Sequence, residues 1–104
     1  VKPKEVVNMA MFMMLWELDR TKIPMDPKER MDGYTMLLSM VKEDLERGTL
    51  KDWGEYPGKA EGYCIVEGTV EEVFVEIMKY DPYIKFWVHP ILSIDQVLNT
   101  LKSL

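Results

Sequence analysis

The order in which hydrophobic periodicities follow one another constrains this chain more than any single motif. A nearly continuous apolar run, Ala10 to Leu18, precedes a long helical repeat. Two alternating segments then flank Pro57-Gly58-Lys59, and a short second helical repeat leads into a last extended segment, Lys85 to Pro90. Periodicity cannot by itself tell the first run from a buried helix, so its length and its neighbours select a strand.

The punctuation between segments supports that parsing. Asp26-Pro27-Lys28-Glu29 combines an N-cap residue, a proline at the first helical position and a glutamate able to bond back to the cap. Met31, Tyr34, Leu37, Leu38, Val41 and Leu45 recur at helical spacing from there, and Arg47-Gly48 closes the helix. From Thr49 to Tyr56 and from Glu61 to Glu67 the period drops to two, as in an antiparallel pair joined by the turn at Pro57 to Ala60. Thr69-Val70-Glu71-Glu72 opens a helix whose expected buried stripe is Val73, Phe74, Ile77 and Met78, and Asp81-Pro82 stops it. Ser93-Ile94-Asp95-Gln96 opens a terminal helix with Ile94, Val97, Leu98, Leu101 and Leu104 on one face. A β-α-β-β-α-β order with right-handed crossovers predicts an α+β, ferredoxin-like domain. Its sheet has four antiparallel strands with both main helices on one face, and here a helix is added at the C-terminus.

Composition limits what such a domain can do. A chain of 104 residues forms one core, expected over residues 10-104, with residues 1-9 read as a frayed leader. A net charge of −5 and scattered basic residues argue against a nucleic-acid partner, and no apolar run is long enough to span a bilayer, so a cytoplasmic protein is expected. The lone Cys64 excludes an internal disulfide and a CxxC pair. RNA-recognition domains share the element order but need a basic, aromatic sheet surface. A zinc site would need ligands beyond one His and one Cys, and a single histidine is thin support for haem. No metal or organic cofactor is expected.

Strand parity divides the side chains between two faces. Phe12, Met14, Trp16, Cys64, Val66, Phe86 and Val88 suit the helix-covered side. The other side collects Met11, Met13, Leu15 and Glu17, then Lys51, Trp53 and Glu55, then Tyr63, Ile65 and Glu67, and finally Lys85, Trp87 and His89. A face that apolar predicts a partner or a ligand cleft, and a homodimer closing sheet on sheet is the economical solution. A bulge near Trp53-Gly54 would swap the parity of the second strand.

Pro24-Met25-Asp26-Pro27, Arg47-Gly48-Thr49 followed by Trp53, Tyr63-Cys64-Ile65-Val66-Glu67 and Val88-His89-Pro90-Ile91 together resemble the corresponding stretches of muconolactone isomerase and its relatives among the dimeric α+β barrel proteins. The resemblance runs from about Met11 to Leu98. It implies a homodimer whose two sheets form a barrel, open to higher homo-oligomeric assembly, and a small cleft that handles hydrophobic organic acids, lactones or phenols without a metal or organic cofactor. It also implies a catalytic glutamate near the end of the first strand, where Glu17 is the nearest match.

The chemistry can be argued separately. Moving a proton between carbons, or opening a lactone, needs a base that becomes an acid, and a carboxyl in an apolar cleft has its pKa raised toward working pH. Glu17 and His89 are the expected proton carriers, and Trp53, Glu55, Tyr63, Glu67 and Trp87 the expected ligand contacts. Each has a plainer reading: a solvated strand-end carboxylate, a hydrogen-bonded packing histidine or an aromatic in a dimer core. Cys64, expected to face the helices, lacks a positive neighbour that would activate it. The alternative to an enzyme is a non-catalytic homodimeric ligand-binding or assembly module.

Overall fold

The computed structural model describes residues 9–104. The leader expected over residues 1-9 lies outside the described residues, apart from exposed Met9. The elements are β1 (Ala10–Leu18), α1 (Pro27–Arg47), β2 (Leu50–Glu55), β3 (Glu61–Gly68), α2 (Val70–Met78), β4 (Ile84–Ile91) and α3 (Ile94–Leu101), with one 3-10 turn at Arg20–Lys22. All neighbouring strands are antiparallel in the order β2-β3-β1-β4, the ferredoxin-like arrangement. Among the described residues no helix is long and apolar enough to cross a membrane.

The helix ends follow the side-chain chemistry of their caps. Thr69 and Ser93 form complete capping boxes with Glu72 and Gln96. At α1 only one of the two expected bonds forms: the Asp26 carboxylate accepts from the Glu29 amide, with Pro27 following it. Gly48 ends α1 at φ 84°, a left-handed conformation that a side chain would strain.

β1 is central and supplies the core with Phe12, Met14 and Trp16, against Cys64 and Val66 of β3, Leu50 of β2 and Val73 of α2. Trp16 lies across from Gly62, and its indole N–H donates to the carbonyls of Gly54 and Tyr63, each at 3.2 Å. Gly62 is required there, since a Cβ would stand 2.0 Å from the Gly54 oxygen.

Three expectations about packing are corrected. The register of β2 shifts between Leu50 and Asp52, so the bulge falls at Lys51, ahead of Trp53. Beyond it Trp53 pairs with Cys64 and Glu55 with Gly62, which moves both to the helix-covered side and turns Asp52 to the open side. The buried face of α2 is Val73 and Glu76, whereas Phe74 and Met78 are exposed. Glu76 can occupy that face because Lys79 and Asp44 meet its carboxyl. Val88 shares the face of Met14 yet is exposed, because β4 is an edge strand and packs with the sheet through β1 alone.

α3 has its expected amphipathic pattern, but among the described residues none of it is fully buried and only Val97 is half-buried. Ile94 is 70% exposed, and Leu98 and Leu101 are at least half exposed.

Candidate functional site

The bulge at Lys51 helps to shape a crevice between α1 and the sheet. By sending Trp53 inward it stacks that ring on Trp16, with centroids 5.3 Å apart and planes within 13°. The stacked pair, Met14, Phe86 and Ile84 form the floor of a crevice roofed by Tyr34, Leu37, Leu38 and Val41 of α1. Its cavity volume is about 30 Å³, room for about two water molecules. It is mostly apolar with a few polar groups, as small-molecule sites are, though closed down well below the roughly 300 Å³ or more of a formed ligand pocket.

Those polar groups come from three places. Glu76 and Tyr80 reach the crevice from α2 and the turn after it, Cys64 from β3 and Tyr34 from α1. Tyr34 donates its hydroxyl to Oε1 of Glu55, tying the roof to the end of β2. Burial and the Glu55 carboxylate both push the Tyr34 hydroxyl pKa up, so it stays protonated. Burial, with a smaller effect of the Glu76 charge, pushes the Cys64 thiol up to about 12, which removes it as a nucleophile at neutral pH.

Glu76 is the chemically distinctive group. It is 4% exposed, and its Oε2 has no hydrogen-bond partner among the described residues. Its Oε1 lies 2.9 Å from the Lys79 ammonium, and its carboxyl is within hydrogen-bonding reach of Asp44, which is 1% exposed. Asp44 accepts from Lys79 at 2.7 Å, from the Tyr80 hydroxyl at 2.8 Å and from Arg47 at 2.6 Å.

These contacts drive the two carboxyls apart. Burial alone would raise Asp44, but bonds from Glu76, Lys79, Tyr80 and Arg47 outweigh it and hold Asp44 below the ordinary carboxylate range. Burial and the neighbouring Asp44 push Glu76 up to about 7, despite Lys79. A carboxyl at that value changes protonation state near neutral pH, as a general acid/base must.

The seven residues expected at the site do not converge. Glu17, Tyr63, Glu67, Trp87 and His89 lie on the open face, whereas Trp53 and Glu55 lie on the covered one. Glu17 pairs with Lys85 and His89 with Met13, four residues along β1, so ~13 Å of strand separates the expected proton carriers. They cannot share one substrate proton directly. Glu17 and Trp87 do border a shallow depression with Tyr56 and Glu61. Tyr63 donates to Asp52 at 2.8 Å, and Glu67 lies 3.6 Å from Lys51. No protein-family model, curated protein or solved structure matches the chain.

Sequence reasoning passed over Glu76, Asp44, Tyr80 and Tyr34 as a group. A signal was present: Asp44 continues the Leu37–Val41 stripe of α1, and Glu76 follows Val73 on one face of α2, with Tyr80 just beyond the helix. Two acidic residues inside apolar stripes on different helices suggest a buried pair. Only the packing of α1 beside α2 makes them neighbours.

Proposed function

We propose that this chain is a cofactor-independent enzyme that moves a proton on a small hydrophobic organic molecule admitted when the crevice between α1 and the sheet opens. The observation that carries the reading is the buried Glu76 carboxyl, which borders an apolar crevice with one oxygen unpartnered among the described residues. As a carboxylate it takes a proton from the bound molecule, and as an acid it returns one. Asp44 and Lys79 hold it at the balance between the two states. The resemblance to muconolactone isomerase agrees with this class of chemistry, with the acid/base role moved from Glu17 to Glu76. The proposed setting is the cytoplasm, where a lone thiol such as Cys64 stays reduced.

The proposed assembly is a homodimer. Leu15 and Trp87 are exposed on the open sheet face, and Ile94, Leu98 and Leu101 of α3 are at least half exposed among the described residues. Covering each such side chain contributes ~1 kcal/mol or more, and a second copy supplies matching surfaces for both at once.

The test is a binding and turnover screen of aromatic acids, lactones and phenols against the wild type and Glu76→Gln. Binding retained by the variant with turnover abolished supports the assignment. Turnover that survives in Glu76→Gln sinks it. The second reading, a non-catalytic dimeric module, is favoured by the extent of open apolar surface and predicts self-association with no turnover of any compound.

A further inference from the structure

Resting on the homodimer reading above, we infer that α3 of one copy packs antiparallel on an exposed apolar stripe of α2 in a second copy, so that each chain both gives and receives a helix. α2 turns Val73 and Glu76 inward, yet Val70, Phe74 and Met78 recur at helical spacing on another side and are each at least half exposed among the described residues. Apolar side chains in such a row form a ridge against which a second helix packs. α3 presents the counterpart in Ile94, Leu98 and Leu101. It has only eight residues, and a helix that short is marginal in water without a packed face, even with its capping box complete. The two stripes also match in length, since Val70 to Met78 and Ile94 to Leu101 each cover about two turns, ~11 Å of helix.

Charge selects the occupant and its direction. On α2 the acidic end comes first, with Glu71 in the first turn and Lys79 at the C-cap. α3 repeats that arrangement with Asp95 and Lys102. Laid parallel, the helices would set Glu71 against Asp95 and Lys79 against Lys102. Laid antiparallel, Glu71 meets Lys102, Asp95 meets Lys79, and the helix dipoles oppose. The flanks agree with that pairing. Glu71 stands at helical spacing from Phe74 and Met78, and Asp95 and Lys102 do so from Leu98. Lys79 bonds Asp44 and Glu76 but keeps a third of its side chain exposed, which leaves it open to Asp95. Because one chain carries both halves, a second copy related by a twofold axis makes the contact twice.

The experiment measures the dimer dissociation constant of the full chain by light scattering, with far-ultraviolet circular dichroism to verify that each variant is folded. Phe74→Asp lies outside the core and should weaken association about tenfold or more. Glu71→Lys and Lys102→Glu should each weaken it about threefold or more, and combining them should restore it. A dimer that Trp87→Asp weakens, while Phe74→Asp and the charge reversals leave it unchanged, overturns the inference and leaves the homodimer reading standing. No recovery in the double variant overturns the antiparallel pairing. Charge reversals that shift thermal stability without changing association place α3 on its own α2 and overturn the exchange. A wild type that stays monomeric at high concentration overturns the homodimer reading and the inference together.

Discussion

Glu76 of α2 brings its carboxyl against that of Asp44 of α1, and the surroundings allow full charge on only one of them. Tyr80, Lys79 and Arg47 all bond to Asp44, whereas Glu76 keeps one oxygen without a partner among the described residues. Two helices are tied by this contact, and it leaves a protonatable group beside the crevice. Stability and chemistry therefore depend on the same pair, and each can be probed through it.

The pH dependence of stability follows from the direction of each shift. Glu76 is raised from 4.5 to about 7, so between those values the folded chain binds more protons than the unfolded chain. Its stabilising contribution is complete below about pH 4.5 and is lost as pH rises through 7, amounting to roughly 3 kcal/mol at most. Asp44 is shifted the other way, so its contribution is lost only in acid, below its ordinary value of 3.8. Urea unfolding from pH 4 to 8 should show the wild type weakening across that range and Glu76→Gln remaining nearly flat. Parallel curves for the two proteins would contradict the assignment.

Asp44→Asn should move the titration of Glu76 without abolishing its elevation. Burial is the largest cause of the raised value and stays in the variant, whereas the repulsion from Asp44 disappears. Carbon-13 NMR of labelled glutamate would report a lower midpoint that still exceeds 4.5. An unchanged midpoint would mean that the two carboxyls do not interact.

Trp53 and Trp87 should separate cleanly. Trp53→Ala removes half of the stack with Trp16 and is expected to cost about 3 kcal/mol of folding stability, with loss of near-ultraviolet circular dichroism. Trp87 is 48% exposed and outside the core, so Trp87→Ala should change monomer stability by less than about 1 kcal/mol. Equal destabilisation by the two substitutions would place Trp53 on the open face after all.

Self-association is tested with charge. Trp87→Asp on the open face and Leu98→Asp on α3 should each weaken the proposed dimer about tenfold or more, read by light scattering, while far-ultraviolet circular dichroism stays the same. A monomeric wild type at high concentration rejects the dimer outright.

Gly62→Ala probes the crossing of Trp16 over β3. The added methyl meets the Gly54 carbonyl at 2.0 Å, backbone that cannot move without disturbing the two bonds to the Trp16 indole. A loss of roughly 3 kcal/mol or more is expected in thermal unfolding. Gly33→Ala is the control, because nothing lies within 4 Å of its added carbon.

Much of the fold could be read directly because its signals are local. Asp26-Pro27, Thr69 with Glu72, and Ser93 with Gln96 announce helix starts through bonds spanning three residues, and Gly48 ends α1 through its own φ. The alternation of Tyr63 to Glu67 likewise fixes β3 without reference to other elements. The candidate site was less legible. The residues that line it lie on β1, β2, β3, β4, α1 and the α2 region, and a one-residue error in β2 is enough to exchange its walls.

The sequence by itself determined the element order, the helix boundaries and an antiparallel sheet with one covered face, since periodicity and caps act over a few residues. Only the tertiary structure decided which face holds Trp53 and Glu55, because the bulge at Lys51 is a matter of pairing with β3. It also decided that Asp44 and Glu76 meet. A carboxyl pair distant in sequence has no periodicity of its own, and its shifted protonation arises from burial and charge that exist only once α1 and α2 lie side by side.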